Sequence, residues 1–330
     1  MQKDKIQNNR TVIDHLENDP KPFISFEIIP PKRGDNIESL EGIISDLASY
    51  NPPYIDVTSH ASEAIYKKNS RGETVRIPTR KRPGTDIICT IIQRTFQIDS
   101  VPHVLCEGVT RQETEDFLIN LAYPRIKNVL AIRGDSQGYT KEYSPDKTFN
   151  KYASDLVKQI YKMNKGKYLD EELDAKPTNF CIGVAGYPEK HYQAPNISWD
   201  IRNLKKKIDA GAEYAVTQMF FNNKFYYNYV DKCRAHGILV PIIPGLKVIS
   251  TKSNLISIPT TFYADIPEEL ADKIEKADES EVEDIGADWT CKQIQDLFSN
   301  GVPSVHLYIM HKTSPLKKLM QKLERKPIII

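Results

Sequence analysis

Short apolar runs recur along the chain, and six of them end on a polar residue or a glycine: FISFE at Glu27, YIDVT at Thr58, VLAIRGD at Asp135, IGVAGYPE at Glu189, YAVTQ at Gln218 and IIPG at Gly245. The runs are rich in β-branched and aromatic residues. They stay largely apolar at both alternating positions, as strands of a parallel sheet covered on both faces do. Eight strands are predicted: Phe23–Ile29, Tyr54–Thr58, His103–Cys106, Asn128–Ile132, Phe180–Ala185, Tyr214–Met219, Leu239–Ile243 and Ser304–Ile309. Helical periodicity fills the gaps. Thr85 and Asp86 open a helix that gathers Ile87, Ile88, Ile91 and Ile92. Further helices are predicted over 110–123, 154–163, 198–210 and 224–236, with Gly211 and Gly237 where C-caps are expected.

Eight strands alternating with helices imply a parallel sheet, and eight is the number that closes a barrel. The predicted fold is α/β, a single (βα)8 TIM barrel with extra helices near the C-terminus. Residues 1–20 form a polar N-terminal extension, and 21–330 form the catalytic barrel with its C-terminal helix. Two stretches break the cadence: 165–176 reads as a polar surface insertion, and the acidic 267–284 as helix outside the barrel. The ending PLKKLMQKLERKPIII reads as a last helix and an apolar tail that packs on the barrel or on a neighbouring subunit.

Composition narrows the function classes. A net charge of +1 over 330 residues offers no field for nucleic acid or an anionic membrane. No run approaches the roughly 18 apolar residues of a membrane span. The first twenty residues lack the apolar core of a signal peptide. The five cysteines form no CxxC pair, which disfavours zinc and disulfide scaffolds and suits a reducing compartment, so a cytoplasmic location is expected. No GxGxxG, P-loop, HExxH or GxSxG motif is present.

The candidate chemistry sits at the ends of the apolar runs. Glu27 lies inside a barrel strand, where desolvation raises a carboxyl pKa and makes a proton donor. Taken alone, it reads equally as one partner of a buried ion pair. Arg133-Gly134-Asp135 follows a strand; glycine admits a close ligand, and arginine offers a fork for phosphate. Alone, such a tripeptide also suits a solvated turn. Asp200, Asn203 and Lys207 share one helix face beside the apolar stripe of Ile201, Leu204 and Ile208, and Lys205–Lys207 either meets phosphates or forms a solvated face. Tyr187 and His191 can stack on a nucleotide or pack on neighbours. His103 is a candidate structural histidine. Gln218 suits the edge of a flat heterocycle or the cap of a strand.

Taken together, SFEIIPPK (25–32), IDVTSHA (55–61), PHVLC (102–106), VLAIRGD (129–135), YASDL (152–156), AGYPEKH (185–191), NLKKKIDAGAEYAVTQMFF (203–221) and IIPGL (242–246) resemble the methylenetetrahydrofolate reductase family in its compact bacterial form. The resemblance runs from about Phe23 to Lys312. It implies a (βα)8 barrel holding FAD at the C-terminal strand ends. It implies reduction of 5,10-methylenetetrahydrofolate to 5-methyltetrahydrofolate by ping-pong hydride transfer from NADH or NADPH through the flavin, one pocket serving both substrates in turn. Glu27 then matches the general acid that protonates N10 of the folate, and Asp135 the aspartate beside the flavin. Gln218 matches a folate or nicotinamide contact, with Thr58, Glu27 and Lys312 also on the substrate side. Thr58, Ala61, His103, Arg133, Gly134, Asp135, Ala153, Tyr187, His191, Ala194, Asp200, Asn203, Lys206 and Lys207 fall on FAD-pocket positions.

There are departures from the family pattern. Ser59-His60 replaces a common Tyr-Gly, and Lys312 stands where arginine is common. The folate-stacking phenylalanine of the loop after strand seven has no clear counterpart, with Phe262 the nearest candidate. The family is often multimeric, so a homo-oligomer is expected, and control by S-adenosylmethionine is not. Two other readings stand beside the reductase: a catalytically inactive folate- or flavin-binding barrel acting as an interaction subunit, and a metal-dependent lyase. The lyase lacks a plausible His, Asp and Glu cluster at the strand ends; no resident metal is expected.

Overall fold

The computed structural model describes residues 9–32, 34–59, 63–79, 82–134, 148–170, 175–310 and 312–325. The strands are β1 (Phe23–Ile28), β2 (Tyr54–Val57), β3 (Glu63–Lys68), β4 (Thr74–Thr79), β5 (Asp99–Leu105), β6 (Asn128–Ile132), β7 (Cys181–Gly186), β8 (Tyr214–Thr217), β9 (Ile242–Ile243), β10 (Gly245–Leu246) and β11 (Ser304–Met310). All but β3 and β4 join one parallel sheet, in the order β10-β11-β1-β2-β5-β6-β7-β8-β9. The two ends of that order are neighbours in the chain, separated by Pro244 alone. Ala215 pairs with Ile242 on one side, and Gly245 pairs with His306 on the other. Thus β9 and β10 are two halves of one bent strand, and the sheet closes into the expected eight-stranded barrel.

The helices are α1 (Val12–Asn18), α2 (Ile37–Ala48), α3 (Thr85–Ile91), α4 (Arg111–Ala122), α5 (Ala153–Met163), α6 (Ile197–Asp209), α7 (Asn223–Ala235), α8 (Asn254–Phe262), α9 (Glu268–Lys276), α10 (Glu279–Ser299) and α11 (Ser314–Arg325). Apolar stripes on the enclosing helices, such as Leu156, Val157, Ile160 and Met163 of α5, meet the outward side chains of the strands in one large core. A smaller core lies inside the ring, where Tyr54, Val101, Leu130, Tyr214, Val216 and Ile243 pack together. Among the described residues, no helix is long and apolar enough to cross a membrane. All five cysteines are buried, and none of them forms a disulfide.

Several boundaries differ from the sequence reading. The strand predicted over 103–106 begins at Asp99, because the polar Asp99 and Ser100 are buried and paired rather than exposed. The strand predicted over 239–243 starts at Ile242, since Leu239 is 78% exposed. The helix from Thr85 is present, but Gly84 is its N-cap, and it runs on into a π-helical turn over Ile92–Phe96. The acidic 267–284 stretch forms α9 and the start of α10, outside the barrel as expected. The antiparallel hairpin β3–β4 had no counterpart in the sequence reading. The apolar tail after Arg325 lies outside the described residues, as does the middle of the polar stretch over 165–176.

The polar N-terminal stretch carries a plug. Thr11 and Asp14 form a reciprocal capping box that starts α1. Val12 and Leu16 then enter the inner core. Val12 N–H donates to Asn128 Oδ1 at 2.8 Å, and His15 Nε2 lies 2.8 Å from Asp99 Oδ2, tying α1 to the starts of β6 and β5.

Closure depends on a residue without a side chain at the bend. A Cβ on Gly245 would lie 2.2 Å from the Thr217 carbonyl oxygen and 2.7 Å from the Tyr308 ring. Gly42, exposed inside α2, has nothing within 4 Å of such a Cβ. Chemical denaturation should therefore separate the two: Gly245→Ala loses more than about 2 kcal/mol through overpacking, whereas Gly42→Ala gains about 0.5–1 kcal/mol through helix propensity.

Candidate active site

The inner faces of β1, β2, β5 and β11 bring a charged cluster into the C-terminal half of the barrel. Strand alternation sends Ser25 and Glu27 of β1 inward, with Asp56 of β2 and His103 of β5. Glu27 pairs in register with Asp56 on one side and Tyr308 on the other, and Ser25 pairs with His306. His103 Nε2 is 3.3 Å from Glu27 Oε2 and 3.7 Å from Asp56 Oδ2. His306 Nε2 is 3.7 Å from Glu27 Oε2, while its Nδ1 lies 2.9 Å from Ser25 Oγ. All five of these polar residues are buried.

This arrangement corrects the expectation of a raised pKa at Glu27. Burial does favour the neutral acid, but the His103 imidazolium at 3.3 Å and the His306 ring at 3.7 Å outweigh it, and the carboxyl is held at about 2. His103 responds in the opposite sense. Burial favours its neutral form, yet Glu27 and Asp56 together raise it to about 9. Near neutral pH the proton of this pair belongs to the imidazole. Lys247, after β10, is half-buried and carries a pKa lowered by burial against the opposing charge of Glu27.

The rim holds most of the other predicted residues. Thr58 follows β2, and its buried hydroxyl oxygen has no hydrogen-bond partner among the described residues. Arg133 Nη1 donates to Gln193 Oε1 at 2.5 Å, linking the end of β6 to the loop after β7. Gly134 takes a left-handed φ of 88°, where glycine is the unstrained choice. Tyr187 and His191 contact each other edge to face, centroids 4.7 Å apart. His191 N–H donates to Asp200 Oδ2 at 3.1 Å. Burial raises the pKa of Asp200. Lys207 is half-buried and donates to the Ala185 carbonyl; desolvation lowers its pKa to about 8 against the pull of Asp200. Lys206 donates to Asn203 Oδ1 at 3.4 Å, and Ala194, within the loop after β7, is buried.

Gln218 follows β8, half-buried, its Oε1 accepting from Met219 N–H at 3.0 Å. Ala153 opens α5. Lys312 is exposed after β11. Phe262 ends α8 and packs in a satellite core with Met219 and Phe221. Asp135, Ala61 and His60 lie outside the described residues. A cavity of about 520 Å3, lined in part by Glu189, Lys190, Tyr192, Phe225 and Tyr263, opens beside the loop after β7 rather than over Glu27. Among the described residues, no group of three or more His, Cys, Asp or Glu side chains is arranged to hold a metal ion.

The family model for methylenetetrahydrofolate reductase matches residues 12–324. The chain belongs to the methylenetetrahydrofolate reductase family. Among its relatives in that family, methylenetetrahydrofolate reductase 2 of Saccharomyces cerevisiae is 30% identical over 319 residues, covering 95% of this chain and 49% of the yeast protein. The 5,10-methylenetetrahydrofolate reductase of Pectobacterium carotovorum subsp. carotovorum is 30% identical over 291 residues, covering 88% of this chain and 86% of that one. The chain thus spans about half the length of the eukaryotic reductases it matches and most of the bacterial one. An uncharacterized protein from Clostridium thermocellum that binds two copies of 5-methyl-5,6,7,8-tetrahydrofolic acid shares the fold, with a TM-score of 0.58, 12% identity and coverage of 94% and 96% of the two chains.

Asp56, His306 and Ser25 of this family member were not singled out from the sequence. Their signal was present: a polar residue at an inward position of β1 itself or of a strand paired directly with it. The ion pair also generates a pH dependence. His103 titrates at about 9 folded against about 6.5 for an ordinary histidine, so its contribution is complete below pH 6.5 and is lost as pH rises through 9. Glu27 works in the other direction, complete above about 4.5 and lost toward 2. Unfolding free energy measured from pH 6.5 to 9 should fall by up to about 3 kcal/mol on this account, and His103→Gln should flatten that slope. An equal slope in the variant would remove the pair from the explanation.

Proposed function

We propose that the chain is a flavin-dependent reductase that converts 5,10-methylenetetrahydrofolate to 5-methyltetrahydrofolate, taking reducing equivalents from NADH or NADPH. The observation that carries this reading is the acid Glu27, set inside the barrel between two histidines and close to its C-terminal end, in a chain that the reductase family model matches over residues 12–324.

The rim suits FAD. Thr58 offers a buried hydroxyl with no described partner, and Arg133 and Lys207 offer cations at the ends of β6 and β7 for a pyrophosphate. The left-handed Gly134 keeps the end of β6 free of a side chain. Asp200, Asn203, Lys206, Tyr187, His191 and Ala194 would complete the holding surface, with Asp135, Ala61 and Ala153 as further contacts. When bound, FAD supplies the hydride carrier between nicotinamide and folate. Glu27 serves the folate: it passes a proton to N10, and the bridging ring opens to a cation ready for hydride. Gln218, Thr58 and Lys312 orient the substrate. Closing the barrel mouth over substrate excludes water from Glu27, which moves its pKa upward from the value it has beside His103.

The alternative of a folate- or flavin-binding barrel without catalysis predicts no use for a buried acid. Purified protein should be yellow. In stopped flow, Glu27→Gln should keep flavin reduction by NADH or NADPH near the parent rate while folate reduction falls at least about 100-fold, the usual scale of a lost general acid. Equal losses in both half-reactions would overturn the assignment of Glu27.

A further inference from the structure

The geometry points to Asp56 as a positioning residue for this acid: it holds the His103 imidazolium, so that Glu27 can gain and release a proton while the cation keeps a counter-ion. The inference rests on the proposed role of Glu27. Asp56 is 1% exposed, and neither of its carboxylate oxygens has a hydrogen-bond partner among the described residues. Its ion-pair partner is His103, 3.7 Å away.

Consider the cluster without Asp56. His103 would then be balanced by Glu27 alone. Protonating Glu27 would leave a buried imidazolium without a counter-ion, a costly state. Glu27 would then stay ionised even with substrate closing the mouth, and could not donate near neutral pH, where a general acid works best. With Asp56 in place, the Asp56–His103 pair is neutral as a unit whether or not Glu27 carries a proton. During the reaction the proton leaves Glu27 for the folate nitrogen, and solvent returns one to Glu27. The charges on His103 and Asp56 do not change.

The other groups facing Asp56 supply no competing charge. They are Tyr54 on its own strand, Tyr214 of β8, Tyr308 of β11 and Cys89 of α3, and burial holds each in its neutral form. Glu27 from β1 and His103 from β5 complete the set. His306 and Lys247 face Glu27.

The test has two arms. In holoprotein carrying Asp56→Asn, the pH above which the folate half-reaction declines should move down by at least about one unit, making the step roughly tenfold slower above it, with flavin reduction by nicotinamide unchanged. An unmoved pH limit overturns the inference. The second arm needs no change at Asp56 and no activity: nitrogen-15 resonances of the His103 imidazole are followed by NMR in the Glu27→Gln protein. A midpoint that stays above pH 8 shows that Asp56 holds the proton there. A midpoint that falls to about 6.5, the ordinary histidine value, overturns the inference. If Glu27→Gln instead leaves folate reduction intact, the role of Glu27 fails, while the NMR midpoint still reports on Asp56.

Discussion

Two carboxylates in register on neighbouring strands of a closed barrel repel each other unless a cation lies within reach of both. Glu27 and Asp56 are such a pair, and His103 is that cation. Exposed pairs of this kind contribute little, because water screens them. Here all three groups are buried, so neutralising His103 leaves two carboxylates without a counter-ion, and the cost is correspondingly large. The barrel architecture makes the arrangement available. Inward positions converge from strands far apart in the chain, and His306 reaches Glu27 from a strand 279 residues away in sequence.

The same closure explains why the cluster is buried. At one end, α1 closes the barrel with Val12 and Leu16, and its polar contacts to Asn128 and Asp99 fix it there. Tyr54, Tyr214, Val101 and Leu130 fill the layers above it. A Cβ on Gly183 would fall 2.3 Å from the Tyr214 ring, so the glycine is what lets that ring lie against the neighbouring β7. The charged layer therefore rests on an apolar floor and opens only toward the C-terminal rim. Of its three groups Glu27 is the most exposed, at 8% against 4% for His103 and 1% for Asp56.

Much of this was legible in the chain. Apolar runs ending in polar residues located the strands and the rim, because parallel strands covered on both faces lose their alternation and show polarity only where they emerge. Terminal positions were less legible. Asp99 and Ser100 read as loop residues by their polarity, yet they lie inside the strand, satisfied by His15, Arg10 and the Cys89 carbonyl. Those contacts come from α1 and α3, and no local pattern reports them. The protonation state of Glu27 failed for the same reason. Burial is visible in the run FISFEII, but the sign of the shift depends on His103 and His306, which lie 76 and 279 positions away.

An acid held at about 2 is not useless to a reaction that needs a proton. The value is the balance of burial, which favours the neutral acid, against the neighbouring imidazoles. Its two opposing contributions respond differently to a bound ligand. Removing water from the mouth strengthens the burial that favours neutral Glu27, and the imidazolium is already shared with Asp56. A carboxylate balanced between strong opposing contributions therefore changes its proton affinity greatly for a small change in surroundings, whereas one that is merely buried has a single fixed preference. Such a site can stay ionised while a hydride donor occupies the mouth and become an acid when a proton acceptor replaces it. The proposed reaction, in which one pocket serves two substrates in turn, requires that difference.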